Sequence, residues 1–278
     1  MAKPVAASGS PEISVLEVMQ GELNFCIVGT SPFIYNAMSE KVWHELLMPA
    51  PKKNAAEKAA NLKHSPFDEF RNSTYQNRDA DAKTRLNFLC AAFKKGIAAA
   101  ALDIPGANKS QIGRLVWVNG ERVDMYGVPK IYCAIVRSAD MNRTPDVRTR
   151  AILPEWACRI SLRFMKPILK EQTIANLLAA AGWIQGVGDG RQQKGSLSYG
   201  QFRLVSEDDP DFVRICKNGG REAQEAALAN PETHDEETDR LLEWFVEERQ
   251  RRDGKSTTNG TNGAHAKKSA KTTVDAEA

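Results

Sequence analysis

Two periods organise the apolar residues of this chain, one of two residues and one of three to four. The clearest stretch of period two is 156–165, where apolar and mostly polar side chains alternate. Such alternation predicts a strand with one buried face. If helices cover the apolar face, Arg159 and Arg163 lie on the open face of a sheet. Polar residues on a half-exposed strand are the simpler interpretation of both arginines.

The same two patterns, with turn and cap residues, place the other elements. An Asn-Gly pair at 119–120 predicts a hairpin, Ser39 is an expected N-cap, and Gly182 is an expected C-cap. The predicted strands are 16–28, 115–118, 121–126, 130–136, 156–165 and 201–205. The predicted helices are 40–47, 55–62, 81–101, 171–181, 208–217, 221–229 and 236–252.

A glycine-rich basic loop joins the helix at 171–181 to the strand at 201–205. Glycine allows positive φ and close approach of another backbone. A P-loop or dinucleotide fingerprint is excluded, because those loops follow a strand and open a helix. A surface hairpin without a ligand is the alternative interpretation. The residues of this loop that we single out for binding are Gly186, Gly188, Arg191, Lys194, Gly195 and Tyr199.

A second candidate segment, 137–155, is rich in arginine. Its four cations are all arginine, which binds phosphate as a planar fork and stacks on bases. Three acids within the segment leave an excess of only +1, so a solvated connection between strands is an equally good interpretation. The arginines are Arg137, Arg143, Arg148 and Arg150.

Composition narrows the class of protein only modestly. The net charge is +3 and the five cysteines form no Cys-x-x-Cys pair, which favours reduced thiols and no zinc site. No apolar run approaches the 18 residues or so of a membrane span, so we expect a soluble, cytoplasmic protein. We find no catalytic motif and no metal or cofactor motif, and predict a protein that is not an enzyme.

The chain divides into a flexible N-terminus (1–12), one domain (13–252) and a polar tail (253–278) expected to be disordered. Within the domain, insertions are expected at about 30–80 and 105–130, with C-terminal helices at 208–252. The predicted fold class is α+β, with an antiparallel sheet of ferredoxin-like (RRM-like) type and helices on one face.

The order strand (156–165), helix (171–181), glycine loop and strand (201–205) resembles the second half of that fold. The loop, with Gly186-Val-Gly-Asp-Gly-Arg-Gln-Gln-Lys-Gly195 and Tyr199-Gly-Gln-Phe202, resembles the glycine-rich loop of the RAMP superfamily, found in class 1 CRISPR effector complexes. A closer similarity is to proteins encoded by phages and prophages, which pair such a loop with an arginine-rich segment that ends in Trp, here Trp156.

The resemblance implies a sequence-independent protein that binds single-stranded DNA or RNA and self-assembles along the strand. Loop amides, Arg191 and Lys194 would hold phosphates, and Tyr199 would stack on a base. One alternative is a guide-RNA-binding backbone subunit of a CRISPR-type complex. A metal-independent RNA nuclease, which would need His44 brought to the motifs, and a phage structural or inhibitor protein are further alternatives.

Overall fold

The computed structural model describes residues 17–48, 64–137, 145–192 and 197–264. Its strands are β1 (Met19–Gly29), β2 (Phe33–Ile34), β3 (Tyr75–Gln76), β4 (Leu86–Leu89), β5 (Val116–Val118), β6 (Arg122–Tyr126), β7 (Lys130–Arg137), β8 (Pro145–Leu153), β9 (Ala157–Lys166) and β10 (Phe202–Val205). Its helices are α1 (Glu40–Leu47), α2 (Pro66–Asn72), α3 (Cys90–Ala100), α4 (Lys109–Leu115), α5 (Glu171–Ala180), α6 (Pro210–Asn218), α7 (Arg221–Ala229) and α8 (Glu236–Ala264).

The main sheet has the strand order β10-β1-β9-β6-β4-β3, and β5 also pairs with β9. All of its pairs are antiparallel. With α3 between β1 and β5, and α5 between β9 and β10, the sequence of elements is the βαββαβ unit of a ferredoxin-like fold. The predicted α+β class is therefore confirmed.

The predicted hairpin at the Asn-Gly pair is wrong. Both β5 and β6 run antiparallel to β9 and pair with successive parts of it, so they continue in one direction. Asn119 stays in register, since its amide donates to Ser161 O at 2.8 Å and its side chain contacts Glu22 and Ser161. Six residues, 119–124, lie opposite three residues of β9, 159–161, so the chain bulges there, and Gly120, at φ 79°, lies in this bulge. Residues 116–126 thus form two successive strands along β9.

The predicted helix at 81–101 begins only at Cys90. Residues Leu86–Leu89 form β4 instead, because Leu86 and Phe88 alternate into the core while the strand pairs with β3 and β6. Helix α2 and strand β3 lie where the sequence predicted only loop. The helix predicted at 55–62 lies outside the described residues.

Helices α3 and α5 pack on one face of the main sheet, where Phe93, Ile97 and Ile174 meet the apolar side of β9. The opposite face carries a smaller apolar cluster in which α6 contributes Phe212 and Ile215. Helices of the ferredoxin-like unit therefore share one face, and a C-terminal helix covers part of the other. Among the described helices, none combines the length and apolar character that crossing a membrane requires.

A second, small sheet has the order β2-β8-β7. Strands β7 and β8 lie in the chain between β6 and β9, whereas β2 follows β1. Residues Pro145–Leu153 of the arginine segment are thus a strand, β8, and not a solvated connection. An aromatic cluster of Phe33, Phe88, Trp156 and Phe202 joins the small sheet to the main core, with ring centroids 4.8–6.1 Å apart. The Trp156 indole also donates to Ser31 O at 2.8 Å.

The C-terminal helix α8 is longer than predicted. It continues to Ala264, where the sequence had placed the start of a disordered tail at 253. No proline interrupts residues 253–264, so backbone hydrogen bonding can continue there. The rest of the tail, like the N-terminal residues 1–12, lies outside the described residues.

Candidate nucleic-acid interface

The glycine loop is fixed against the small sheet by its own backbone. The Asp189 amide donates to Ile34 O at 3.0 Å, and the Gly200 amide donates to Pro32 O at 2.8 Å. Val187 N donates to Gly200 O across the loop at 2.9 Å. The described part of the loop is therefore anchored to the small sheet by backbone hydrogen bonds.

The boundary between helix α5 and the glycine loop differs from the prediction. Gly182 does not cap α5, because the chain continues as a π-helical turn, Ala181–Gln185, and ends at Gly186. Gly182 is buried against β10, and a Cβ there would lie 2.2 Å from Phe202 O. Its role is therefore close approach to the strand, and the positive φ of 66° falls at Gly186.

Several loop amides predicted to hold phosphates already have protein acceptors. Besides those of Asp189 and Gly200, the amides of Gly186, Val187 and Tyr199 donate to carbonyl groups of this part of the chain. Those of Gly188 and Gly190 have no protein acceptor among the described residues. Several of the described loop amides are therefore engaged within the protein, whereas those of Gly188 and Gly190 are open to a ligand.

Two arginines of β8 approach the loop. Strand alternation places Arg148 and Arg150 on the same face of the small sheet as Tyr132, which pairs directly with Arg150. The Arg150 guanidinium forms an ion pair with the Asp189 carboxylate of the loop. Its side chain is only 13% exposed, and burial, together with repulsion from Arg148, lowers its pKa. Arg150 thus joins the loop to the small sheet through an ion pair, and its guanidinium is not free to bind a phosphate.

Arg148 has a different environment. Its side chain is exposed, and among the described residues no carboxylate lies within ion-pair distance of it. Arg148 lies two residues from Arg150 on the same face of β8, and its charge is one cause of the lowered pKa of Arg150. Arg148 is consequently the solvent-exposed cation of the surface formed by Tyr132, Arg148, Arg150, Asp189 and Tyr199. We call this surface the loop–hairpin junction, because it lies between the glycine loop and the hairpin of β7 and β8.

Tyr199 does not stand alone as the sequence suggested. Its ring lies 6.4 Å from that of Tyr132, edge to face. Burial of Tyr132, followed by its hydrogen bond with the Tyr199 phenol, raises the pKa of Tyr132 to about 12. The histidine at this junction is His234, whose ring lies 5.7 Å from Tyr132, whereas His44 is on the exposed helix α1. Tyr132 and His234 were not predicted, because only strand register brings them here.

The remaining predicted residues are distributed over the molecule. Arg137 is exposed but alternates onto the other face of β7 from Tyr132. Arg159 stacks on Phe212 of α6 at 4.8 Å and lies 3.7 Å from Glu207, while its side chain stays about half exposed. Arg163 is exposed and pairs with Glu22 of β1. It lies roughly 20 Å along β9 from Ala157, the first residue of that strand. Arg143, Lys194 and Gly195 are outside the described residues.

Arg191 lines a cavity of about 220 Å³ beside the loop, together with Gly188 and Gly190. Its side chain is half-buried and has no carboxylate partner among the described residues. The other wall consists of Asn36 and residues of β3 and β4. The structure therefore brings two of the predicted groups, the loop and Arg148, to one region, and it places Arg191 at an adjacent cavity.

Comparison with known proteins gives only distant likeness. No family model matches the chain, and no curated protein matches it. Among solved structures, a chain of the cryo-EM structure of the Type III-B Cmr-beta bound to cognate target RNA is similar at 10% identity, with a TM-score of 0.35. The match covers 67% of this chain and 59% of the other.

Proposed function

We propose that this protein binds single-stranded nucleic acid without sequence preference, as a RAMP-like, phage-encoded protein that assembles with further copies of itself along the strand. The observation that carries the proposal is Arg148, which is exposed and has no ion-pair partner among the described residues, beside the aromatic pair Tyr132 and Tyr199. A guanidinium next to aromatic rings offers a charge for the phosphate and a surface for a base. Both contacts are independent of base identity.

The junction is held in shape before any ligand arrives. Backbone bonds fix the loop, and the Arg150–Asp189 ion pair joins it to β8. When a nucleic-acid strand binds there, few protein groups have to become ordered, which lowers the entropy cost of association. The proposed path uses Arg148 and the aromatic pair, with Arg143 and Lys194 as further cations from the neighbouring sequence.

The test is substitution of Arg148 by alanine, measured by fluorescence anisotropy with labelled single strands. Hydrogen bonds to a charged group contribute about 1.5–3 kcal/mol, so we expect Kd to rise by about tenfold or more. Arg114 is the matched control, because it is an exposed arginine of α4 without a carboxylate partner among the described residues. The variant Arg114→Ala should bind as the wild type does.

Equal affinity of wild type and Arg148→Ala would overturn the assignment of this junction. RNA of one defined length that copurifies with the protein would instead favour a guide-RNA-binding subunit of a CRISPR-type complex. Such RNA would change the biological setting and not the chemistry of the junction.

A further inference from the structure

The cavity beside Arg191 has the features of a binding site that lies apart from Arg148. One wall is the loop from Gly188 to Arg191, and the other contains Tyr75 and Phe88. Its volume of about 220 Å³ is below the roughly 300–1,000 Å³ of pockets that enclose drug-sized ligands. A single flat ring system is therefore a better match than a whole nucleotide.

The walls of the cavity supply both a ring surface and polar groups. Tyr75 is half-buried, with its ring held edge to face against Phe88 at 5.9 Å. The amides of Gly188 and Gly190 have no protein acceptor among the described residues, and the exposed Asn36 adds a side-chain amide. Donors and acceptors of this kind can pair with the edge of any base.

Two cations flank the ring. The Arg122 guanidinium lies over Tyr75, 4.6 Å from the ring centroid, and Arg191 lines the cavity. In the part of the chain that the structure describes, neither arginine has an ion-pair partner. Asp189 is the acid in the wall, and it is already paired with Arg150. The cation of the cavity wall itself is therefore Arg191. Arg122 lies outside that wall, over Tyr75, and lines a neighbouring cavity together with Asp79, Asp81 and Asp124.

We propose that this cavity, which we call the Tyr75 cavity, receives one nucleobase of the bound strand, with Arg122 and Arg191 contacting the phosphates on either side. The inference rests on the proposed function, because it extends the path of the bound nucleic-acid strand from Arg148 past the glycine loop. Stacking on Tyr75 and contacts with the amides of Gly188 and Gly190 retain the base. This site makes the bases, and not the phosphates alone, contribute to affinity.

The experiment compares a normal single strand with a strand of the same length built from abasic residues, in the anisotropy assay. Stacking of a base on an aromatic ring is worth about 1–3 kcal/mol, equivalent to about 5- to 150-fold in Kd. Tyr75→Leu should weaken binding of the normal strand by a factor in that range and change binding of the abasic strand less than about twofold.

The matched control is Trp117→Leu. Trp117 is also a half-buried aromatic residue beneath a cation, Lys94, at 5.8 Å, but it lies on β5 opposite Arg163. This variant should bind both strands as the wild type does. Arg122→Gln, a substitution on the surface, provides a second variant if Tyr75→Leu fails to fold in a thermal melt. It should also weaken binding of the normal strand.

Three results would count against the inference in distinguishable ways. If wild type binds both strands but Tyr75→Leu and Arg122→Gln bind the normal strand unchanged, the Tyr75 cavity is empty in the complex and the proposed function stands. Equal weakening of both strands by Tyr75→Leu would also overturn a base site, whereas Arg122→Gln, which removes a phosphate contact, is expected to weaken both. If wild type binds neither strand, the proposed function and this inference fail together.

Discussion

Arg148 and Arg150 are two residues apart on the same face of β8, yet their surroundings differ. Arg150 is largely buried and paired with Asp189, while Arg148 is exposed and has no carboxylate near it in the described structure. Arg150 therefore stabilises the junction, and Arg148 is available to bind a ligand. Sequence gives both residues the same appearance, since each is an arginine on an alternating strand.

Substitution of Asp189 tests the structural role of this pair. Asp189→Asn leaves the Arg150 charge half-buried without its counter-ion, so the free energy of unfolding should fall by about 1–3 kcal/mol. Urea denaturation measures the change. Asp208→Asn is the control, because Asp208 is exposed after β10 and surface changes usually stay within about 0.5 kcal/mol. Equal stability of both variants would contradict the role assigned to the pair.

Tyr132 makes a distinct prediction about alkaline pH. Its folded pKa of about 12 exceeds the ordinary value of about 10. Between these two pH values the unfolded phenol loses its proton while the folded one keeps it. The stability contribution is therefore complete below pH 10 or so and is lost as pH rises towards 12.

Spectrophotometric titration of the phenols checks this prediction. The difference between wild type and Tyr132→Phe should show one ionisation with a midpoint near pH 12. Burial also raises the pKa of Tyr35 and Tyr126, but both are present in each protein and cancel in the difference. A midpoint of about 10 would show that Tyr132 is solvated and not bonded to Tyr199.

At the scale of elements, the loop depends on one glycine more than on the others. Gly200 has φ 73°, and a Cβ there would lie 1.7 Å from Val187 O. Gly106 has a similar φ of 81°, but a Cβ there would meet nothing within 4 Å. Comparing substitutions at the two positions therefore distinguishes the cost of backbone strain from the cost of steric overlap.

Alanine substitution at both glycines should show this difference. Gly106→Ala adds only the left-handed penalty of about 1–2 kcal/mol. Gly200→Ala adds the overlap as well and should cost at least about 2 kcal/mol more. Thermal or urea unfolding measures both. Similar losses would mean that the loop near Gly200 is less closely packed than described.

The elements that sequence located well are those whose pattern depends on local packing. The period of β9 and the spacing of α5 are set by a single buried face, and Ser39 caps α1 through Val42 N. Elements set by distant partners were missed. The Asn119-Gly120 pair forms a bulge because β9 pairs on both sides of it, and no local signal reports that.

The candidate site shows the same limit. The loop and the arginine segment were recognisable from residue type alone, and the fold brings Arg148 to the loop. Which arginine is free depends on Asp189, and which aromatic faces Tyr199 depends on the register of β7 with β8. Tyr75 and Arg122 gave no signal, because each is unremarkable in its own segment.

At the scale of the whole molecule, a ferredoxin-like core supports a small sheet, two of whose strands, β7 and β8, are inserted between β6 and β9. The loop–hairpin junction carries Arg148 and the aromatic pair, and the Tyr75 cavity lies beside the same loop. The net charge of +3 is too small to attract nucleic acid by itself. The proposed binding therefore requires local placement of charge, which salt should screen in a defined way.

The most direct measurement is the salt dependence of Kd for single-stranded DNA, single-stranded RNA and duplex, by anisotropy at several salt concentrations. Each phosphate neutralised on a single strand should contribute about 0.7 to the slope of log Kd against log salt. We predict a steep slope on at least one single strand, weaker binding of duplex, and a slope reduced by about 0.7 in Arg148→Ala. Flat curves for all three ligands would contradict the account and indicate that the junction serves a protein partner.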